Sequence, residues 1–388
     1  MATSGVPWDA RYQYLAGGVN TGQGWTTWKP QGEFVTQFVN DSAAHGYLPV
    51  FTYYQLLQSR PGNGRDEGAK DFANLNDPAT MRAYYADFRL LMDKLRAYGR
   101  PVIVHVEPDL FGYMQQRVVN GTNSAASIPA AVASSGYSDA AGLPDTFQGF
   151  NWALLRMRDR YAPNVLLAAH VSHWSTGVDI GTDSSVELNV AKIGQTTASF
   201  HNTAGIAGNP AGMSSYDLLF FDPSDRDAAY YQIVRGDGGR HWWDTSNVRF
   251  PNFARYQEYI QYVTAGTSRR AMLWQVPVGN TYFRSENNTD GHYQDNRVQY
   301  WLGGYPEDGH IASLVHAGVI GILFGAGADE PTTFADWKHD GITNPAPING
   351  NDAMAHYADD DGGYLRMVGS RYYRTGVFAI DPEAVPSR

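Results

Sequence analysis

The chain has 388 residues, is 43% hydrophobic and carries a net charge of −10 with acidic and basic residues mixed along its length. That length accommodates two average domains or one barrel-sized domain, and the mixed acidic surface excludes a nucleic-acid face, which needs clustered Lys and Arg. The absence of Cys excludes disulfide and thiolate chemistry, and no run approaches the roughly 20 apolar residues of a membrane span.

The opening residues, Met1 to Pro7, contain neither a basic n-region nor an apolar h-region. The expectation is a secreted protein whose signal lies outside this sequence. Short apolar runs then predict strands over Tyr12–Val19, Leu48–Tyr54, Val102–Glu107, Val165–His170, Asp217–Asp222, Ala271–Val276, Val319–Phe324 and Tyr364–Val368. Between the second and third, "DPATMRAYYADFRLLMDKLRAYGR" reads as a helix, with Asp77 as N-cap and Pro78 in the first turn. Further helices are predicted in "TFQGFNWALLRMRDRYA", "FARYQEYIQYVTAG" and "GHIASLVHAG". Strands alternating with helices imply a parallel sheet, and about eight such units imply a single TIM-like (β/α) barrel over residues 1–388. An open doubly wound sheet is the alternative. The stretch 118–148, rich in Ala, Ser and Gly, is expected to be a long loop over the mouth of the barrel.

Parallel α/β folds bind ligands at the carboxyl ends of their strands. The residues predicted there are Asn20, Tyr54 and Gln55, Glu107 and Asp109, His170 and His173, Asp222 and Asp225, Gln275, and Asp329 with Glu330. Carboxylates, amides, imidazoles and aromatics suit polyols and acid/base work. Aromatic residues make up 13% of the chain, many beside Gly, Asn, Asp or Gln, and flat aromatic rings stack on the C–H faces of sugars. In "VIVHVEPDLFGYM", strand alternation puts His105 and Glu107 on one face, and Pro108 presents Asp109 at the rim. Two carboxylates this close raise each other's pKa, and a protonated carboxyl is what cleavage of a glycosidic bond needs.

That segment resembles the "VIEPDSLAN" element of glycoside hydrolase family 6, the inverting cellulases. "NVLLAAHVSHW" is similar to the family's "LDAGHAGW", "DLLFFDPSDRD" to "DTSRNG" and "MLWQVPVGN" to "LWVKPPGESDG", in the same order over roughly residues 45 to 290. The resemblance implies Asp109 as general acid, Glu107 as its supporting carboxylate, Trp174 as a sugar platform and Trp274 beside the reaction centre. It also implies a distorted barrel with fewer than eight closed strands, and endo-type hydrolysis of a β-1,4-glucan with inversion. The sequence departs from the family at three places. The supporting Asp of "DLPDRDC" falls near Gln55 or is displaced to Asp66, and the Asp of "LDAGH" falls on Ala168. The "ESDG" base becomes Asn280 to Phe283, leaving Asp290, Asp222 or Asp225 to activate water.

Other constellations admit other readings. His170 and His173 could bind a metal with Asp222 or Glu330, although hydrogen bonding to sugar hydroxyls is preferred and neither metal nor organic cofactor is expected. Asp222, Asp225 and Asp227, and likewise Asp359, Asp360 and Asp361, read as solvated acidic loops. A retaining mechanism would pair Glu107 with Glu330. Tyr54, Gln55, His170, His173, Trp174, Asp225, Trp274, Gln275 and Glu330 would bind substrate, and Trp25, Trp28, Trp242, Trp243 and Trp301 could extend a cleft. The reading is a monomeric polysaccharide hydrolase with no nucleic-acid or membrane partner. A non-catalytic glycan-binding barrel and a transglycosylase or lyase are the alternatives.

Overall fold

A computed structural model describes residues 4–119, 124–208, 212–325, 327 and 330–379. Seven strands form one sheet: β1 (Ala10–Leu15), β2 (Leu48–Tyr53), β3 (Val102–Val106), β4 (Val165–Val171), β5 (Leu218–Phe221), β6 (Arg270–Val276) and β7 (Val319–Phe324). All neighbours are parallel and the spatial order is the sequence order, so the sheet curls steadily in one direction. Among the described residues β1 and β7 form no ladder, and their seam is bridged by the Tyr12 hydroxyl donating to the Gly325 carbonyl at 3.1 Å. The fold is the distorted (β/α) barrel expected, with seven strands among the described residues.

Alternation along each strand separates two apolar layers. Phe51, Tyr53, Val104, Val106, Leu167, Leu219 and Phe221 face outward into the main core. Val50, Ile103, Ala168, Leu218, Phe220, Met272, Trp274 and Leu323 fill the barrel. The helices that matter to the site are α1 (Glu67–Leu75), α2 (Pro78–Tyr98), α3 (Leu110–Val119), α4 (Phe147–Tyr161), α5 (Phe253–Thr267) and α6 (Tyr364–Thr375). Helix α2 begins where expected: Asp77 accepts from the Thr80 amide at 2.7 Å and Pro78 opens the first turn. Its Met81, Tyr84, Tyr85, Phe88, Leu91, Met92 and Leu95 are fully buried at three- and four-residue spacing, each contributing about 1.5–3 kcal/mol.

Two elements differ from expectation. Tyr364–Val368 is not a strand but the start of α6: Tyr364, Leu365 and Val368 share one buried face of the helix. The Asp361 carboxylate accepts from the Gly363 and Leu365 amides at 2.8 Å and opens that helix. The segment expected over the mouth packs instead on the outer helices. Among its described residues, Ile128, Val132 and Leu143 are buried in the main core, and the Ala131 amide donates to the Leu75 carbonyl at 2.8 Å.

Candidate active site

The carboxyl ends of β3, β4, β5 and β6 surround a cavity of about 310 Å³ lined by Glu67, Asp109, Tyr113, His173, Trp174, Asp179, Asp222, Asp225, Tyr231, His241 and Gln275. Three non-glycine residues with left-handed backbone lie at or beneath it: Glu107 (φ 43°), Asp109 (φ 66°) and Gln275 (φ 56°). Such conformations cost on the order of 1 kcal/mol or more each and cluster at functional sites.

The first two redirect the Glu-Pro-Asp turn. Asp109 reaches the cavity, its side chain 31% exposed. Glu107 leaves the face that alternation assigns it and is fully buried. Its carboxylate accepts from the Gln55 amide at 3.1 Å and the Leu56 amide at 3.2 Å. Burial pushes it up to about 8 against the pull of those amides. Glu107 therefore ties down the backbone after β2 and is absent from the cavity wall, contrary to the expected pairing with Asp109.

His170, at the end of β4, points into the barrel mouth. Its Nε2 lies 3.5 Å from Asp109 Oδ1 and 3.4 Å from Asp222 Oδ1, and the three ligand-type atoms fall within 4.8 Å of one another. Behind it, His170 Nδ1 is 3.0 Å from His105 Nε2, and His105 Nδ1 is 3.4 Å from Thr52 Oγ1. Trp274 meets both rings edge-on, at 4.7 and 5.6 Å. Burial opposes protonation of His170, but Asp109 and Asp222 outweigh it and push the imidazole up to about 9. Burial and the facing His170 hold His105 well below the usual range. The charges thus assign the protons: His170 Nδ1–H donates to a neutral His105, whose Nδ1–H donates to Thr52.

Asp222 ends β5. Burial raises its pKa, with His170 opposing. His173 pairs with Asp179 at 2.7 Å, which raises the imidazole despite its burial and holds the carboxylate well below the usual range despite the same. That pairing takes His173 out of any joint site with His170, so the HxxH pair is not a ligand pair. The three-residue set that a metal could use is Asp109, His170 and Asp222. Asp225 receives the Tyr231 hydroxyl and Arg226 Nη1, the latter at 2.7 Å. Trp174 stands against Tyr113 at 4.9 Å between ring centres, a wall on which a sugar face can lie.

Several groups around the site escaped the sequence reading, among them Tyr113, Tyr231 and His241 on the cavity wall. Glu67, on α1, lines the cavity; it receives the Tyr54 hydroxyl and is raised by burial and by Asp109. Asp71, one turn on, is buried with no hydrogen-bond partner on either oxygen. Burial, then Glu107, Glu67 and Asp109, raise it well above the usual range. Tyr14 bonds the Gln275 side chain, and Asp179 is described above. A cue for Glu67 and Asp71 was Asp66 three residues before Ala69, an N-cap pattern.

Several expected residues stand elsewhere. Asp290 is 89% exposed beside Lys338, too open to act as the base. Glu330 is exposed and does not line the cavity, and Asp329 lies outside the described residues. Gln55 is buried and donates to the Leu15 carbonyl at 2.7 Å, Asp66 caps α1, and Asn20 braces the Arg60 backbone. Trp25, Trp243 and Trp301 are core residues. Neither acidic run is simply solvated: Asp227 accepts from the Gly279 and Thr332 amides at 3.0 Å, and Asp359 pairs with Arg366 at 2.8 Å.

Among the described residues the molecule is thus a parallel, seven-stranded, distorted (β/α) barrel with a carboxylate and imidazole centre at its mouth. No family model and no curated protein matches the chain. Among solved structures it is similar to a mutant of cellobiohydrolase Cel6A from Humicola insolens in complex with a cellobio-derived isofagomine. That match has 13% identity over 68% of this chain and 61% of that one, with a TM-score of 0.38. It is also similar to the GH53 catalytic domain of Ignisphaera aggregans, at 12% identity over 86% and 76% of the two chains, TM-score 0.42. A third is GH5_18 from Streptomyces cattleya in complex with GlcNAc, at 11% identity over 96% and 82%, TM-score 0.34.

Proposed function

We propose that the protein is a glycoside hydrolase acting on a polysaccharide, with Asp109 and Asp222 as its two working carboxyl groups. One observation carries the reading: the two carboxylates face one another across a buried imidazole at the mouth of the barrel, beside an aromatic wall. Glycosidic cleavage needs one carboxyl to protonate the leaving oxygen and a second to attack carbon or activate water. Asp222, the more buried of the two, is assigned to donate the proton. Asp109, the more exposed, is suited to face the anomeric carbon. This reverses the role that the family resemblance gives Asp109, and the reason is burial.

The proposed mechanism is retaining, because one oxygen of each carboxyl lies within 4.8 Å of the other and retention uses the closer carboxyl spacing, about 5–5.5 Å against about 6.5–9.5 Å for inversion. The proposed substrate is a β-1,4-glucan attacked internally. A second hollow of about 400 Å³, lined by Trp242, Arg240 and Arg249, shares Thr182 with the first, so an extended chain has room on that side.

The test is hydrolysis of a glucan panel by the wild type, Asp109→Asn and Asp222→Asn, with proton NMR of the first anomer released. Each substitution is expected to lower kcat on polysaccharide by about 10²–10⁴-fold. With an aryl glucoside whose leaving group needs no proton, Asp222→Asn should recover most activity and Asp109→Asn none. Initial release of the inverted anomer would instead assign Asp109 as acid and give the water to Asp225. Full activity in both variants would end the proposal.

A further inference from the structure

The Asp109, His170 and Asp222 centre has a property that glycosidic cleavage does not use. His170 Nε2 is completely buried and meets only the two carboxylates, at ion-pair rather than hydrogen-bond distance, and the buried Asp222 Oδ1 meets only that imidazole. The imidazole is aimed between the two carboxylates at 3.4 and 3.5 Å, longer than the 2.7–3.2 Å of an ordinary hydrogen bond. Zinc bonds imidazole nitrogen and carboxylate oxygen at about 2.0–2.2 Å, so tetrahedral ligand atoms stand about 3.4 Å apart. The two spacings from the imidazole nitrogen match that value, and all three ligand atoms lie within 4.8 Å of one another.

The surroundings also fit. A metal-bound imidazole keeps its other nitrogen engaged, which fixes the ring and its tautomer; here His105 Nε2 does so at 3.0 Å. The Ser172 hydroxyl donates to Asp109 Oδ1 at 3.3 Å, steadying the carboxylate on the open side. The ligands come from the ends of three adjacent strands, β3, β4 and β5, and Asp109 and Asp222 face the cavity, through which an ion can enter. One nitrogen and two oxygens match zinc, and less closely manganese, whereas magnesium prefers oxygen alone.

We propose that Asp109, His170 and Asp222 form a binding site for a divalent transition-metal ion of the zinc class, and that metal bound there switches off the hydrolase. The inhibitory half rests on the function proposed above, because the ion would occupy both working carboxylates; the binding half does not. No bond is made or broken beyond coordination and release of the imidazole proton to solvent.

The test is calorimetric titration of the untagged, chelator-treated wild-type protein with zinc chloride, alongside thermal unfolding with and without zinc. One ion per chain and a higher unfolding temperature are expected, with magnesium giving neither. His170→Gln and Asp222→Asn should weaken zinc at least 30-fold. Asp109→Asn, at the half-exposed rim, should weaken it at least 10-fold and guards against misfolding of the buried variants. Absence of zinc binding, or binding unchanged in folded variants, overturns the site. Glucan hydrolysis is then measured with micromolar zinc and again after chelator. Reversible loss supports the switch, and full activity with zinc bound overturns it. A protein that binds zinc but hydrolyses no glycan would refute the proposed function and the switch while leaving the site intact.

Discussion

At the level of single residues the site depends on how closely the backbones of β3 and β4 continue into one another's loops. Gly112, in α3, shows the tolerance. A methyl group there would lie 2.6 Å from Ser172 Oγ and 2.8 Å from the Trp174 ring. Ser172 donates to Asp109 and Trp174 forms the aromatic wall, so one added carbon pushes on both at once. Overpacking of this kind costs about 1–3 kcal/mol. Gly112→Ala is expected to lower stability by that amount in urea unfolding, and to reduce kcat/KM on polysaccharide by about tenfold or more, since 1.4 kcal/mol lost at the reaction centre is a factor of ten. Wild-type kinetics in a folded Gly112→Ala protein would show that neither Trp174 nor Ser172 matters to the reaction.

At the level of elements, α1 carries Glu67 and Asp71 to the site, and its start is set by Asp66, whose carboxylate accepts from the Ala69 amide at 2.9 Å. Loss of an N-cap costs about 1 kcal/mol. Asp66→Ala should therefore lower stability by about that much while kcat falls less than about threefold; a drop of a hundredfold would mean that Asp66 is the supporting acid that the family resemblance allowed. The elements also explain which parts of this protein a sequence reveals. Runs such as Val102–Val106 and Val165–Val171 are short, apolar and bounded by polar turns, and α2 repeats at three and four with a cap and a proline, so both kinds were legible. Tyr364–Val368 was not, because five residues cannot separate a period of 2 from one of 3.6. In the site, His170, Asp222 and Asp109 follow directly from strand ends. Glu107 was misassigned because left-handed backbone on either side of Pro108 breaks the alternation, and Tyr14 was invisible because its partner Gln275 lies 261 residues away.

At the level of the whole molecule, buried carboxyl groups away from the cavity decide how stability responds to pH. Asp227 and Asp361 are pushed up to about 7, each chiefly by burial. Glu286, buried with both oxygens lacking a hydrogen-bond partner, is raised well above the usual range by burial and by Asp227 and Asp361 beside it. In the unfolded chain all three lose their protons near pH 4. Between that pH and their folded values the native state binds more protons than the unfolded one, so stability falls as pH rises. For Asp227 and Asp361 the contribution is complete below about pH 4, declines through pH 5 to 7 and is lost near pH 8, at about 1.4 kcal/mol per group for each pH unit crossed, and Glu286 acts in the same direction. Urea unfolding should therefore give a stability lower at pH 8 than at pH 5 by on the order of 5 kcal/mol. Glu286→Gln, which cannot ionise, should leave the value at pH 5 nearly unchanged and raise it at pH 8, flattening the slope. A stability that climbs from pH 5 to pH 8 in the wild type would mean that these carboxyl groups ionise at ordinary values inside the fold, and that water or a bound cation reaches them.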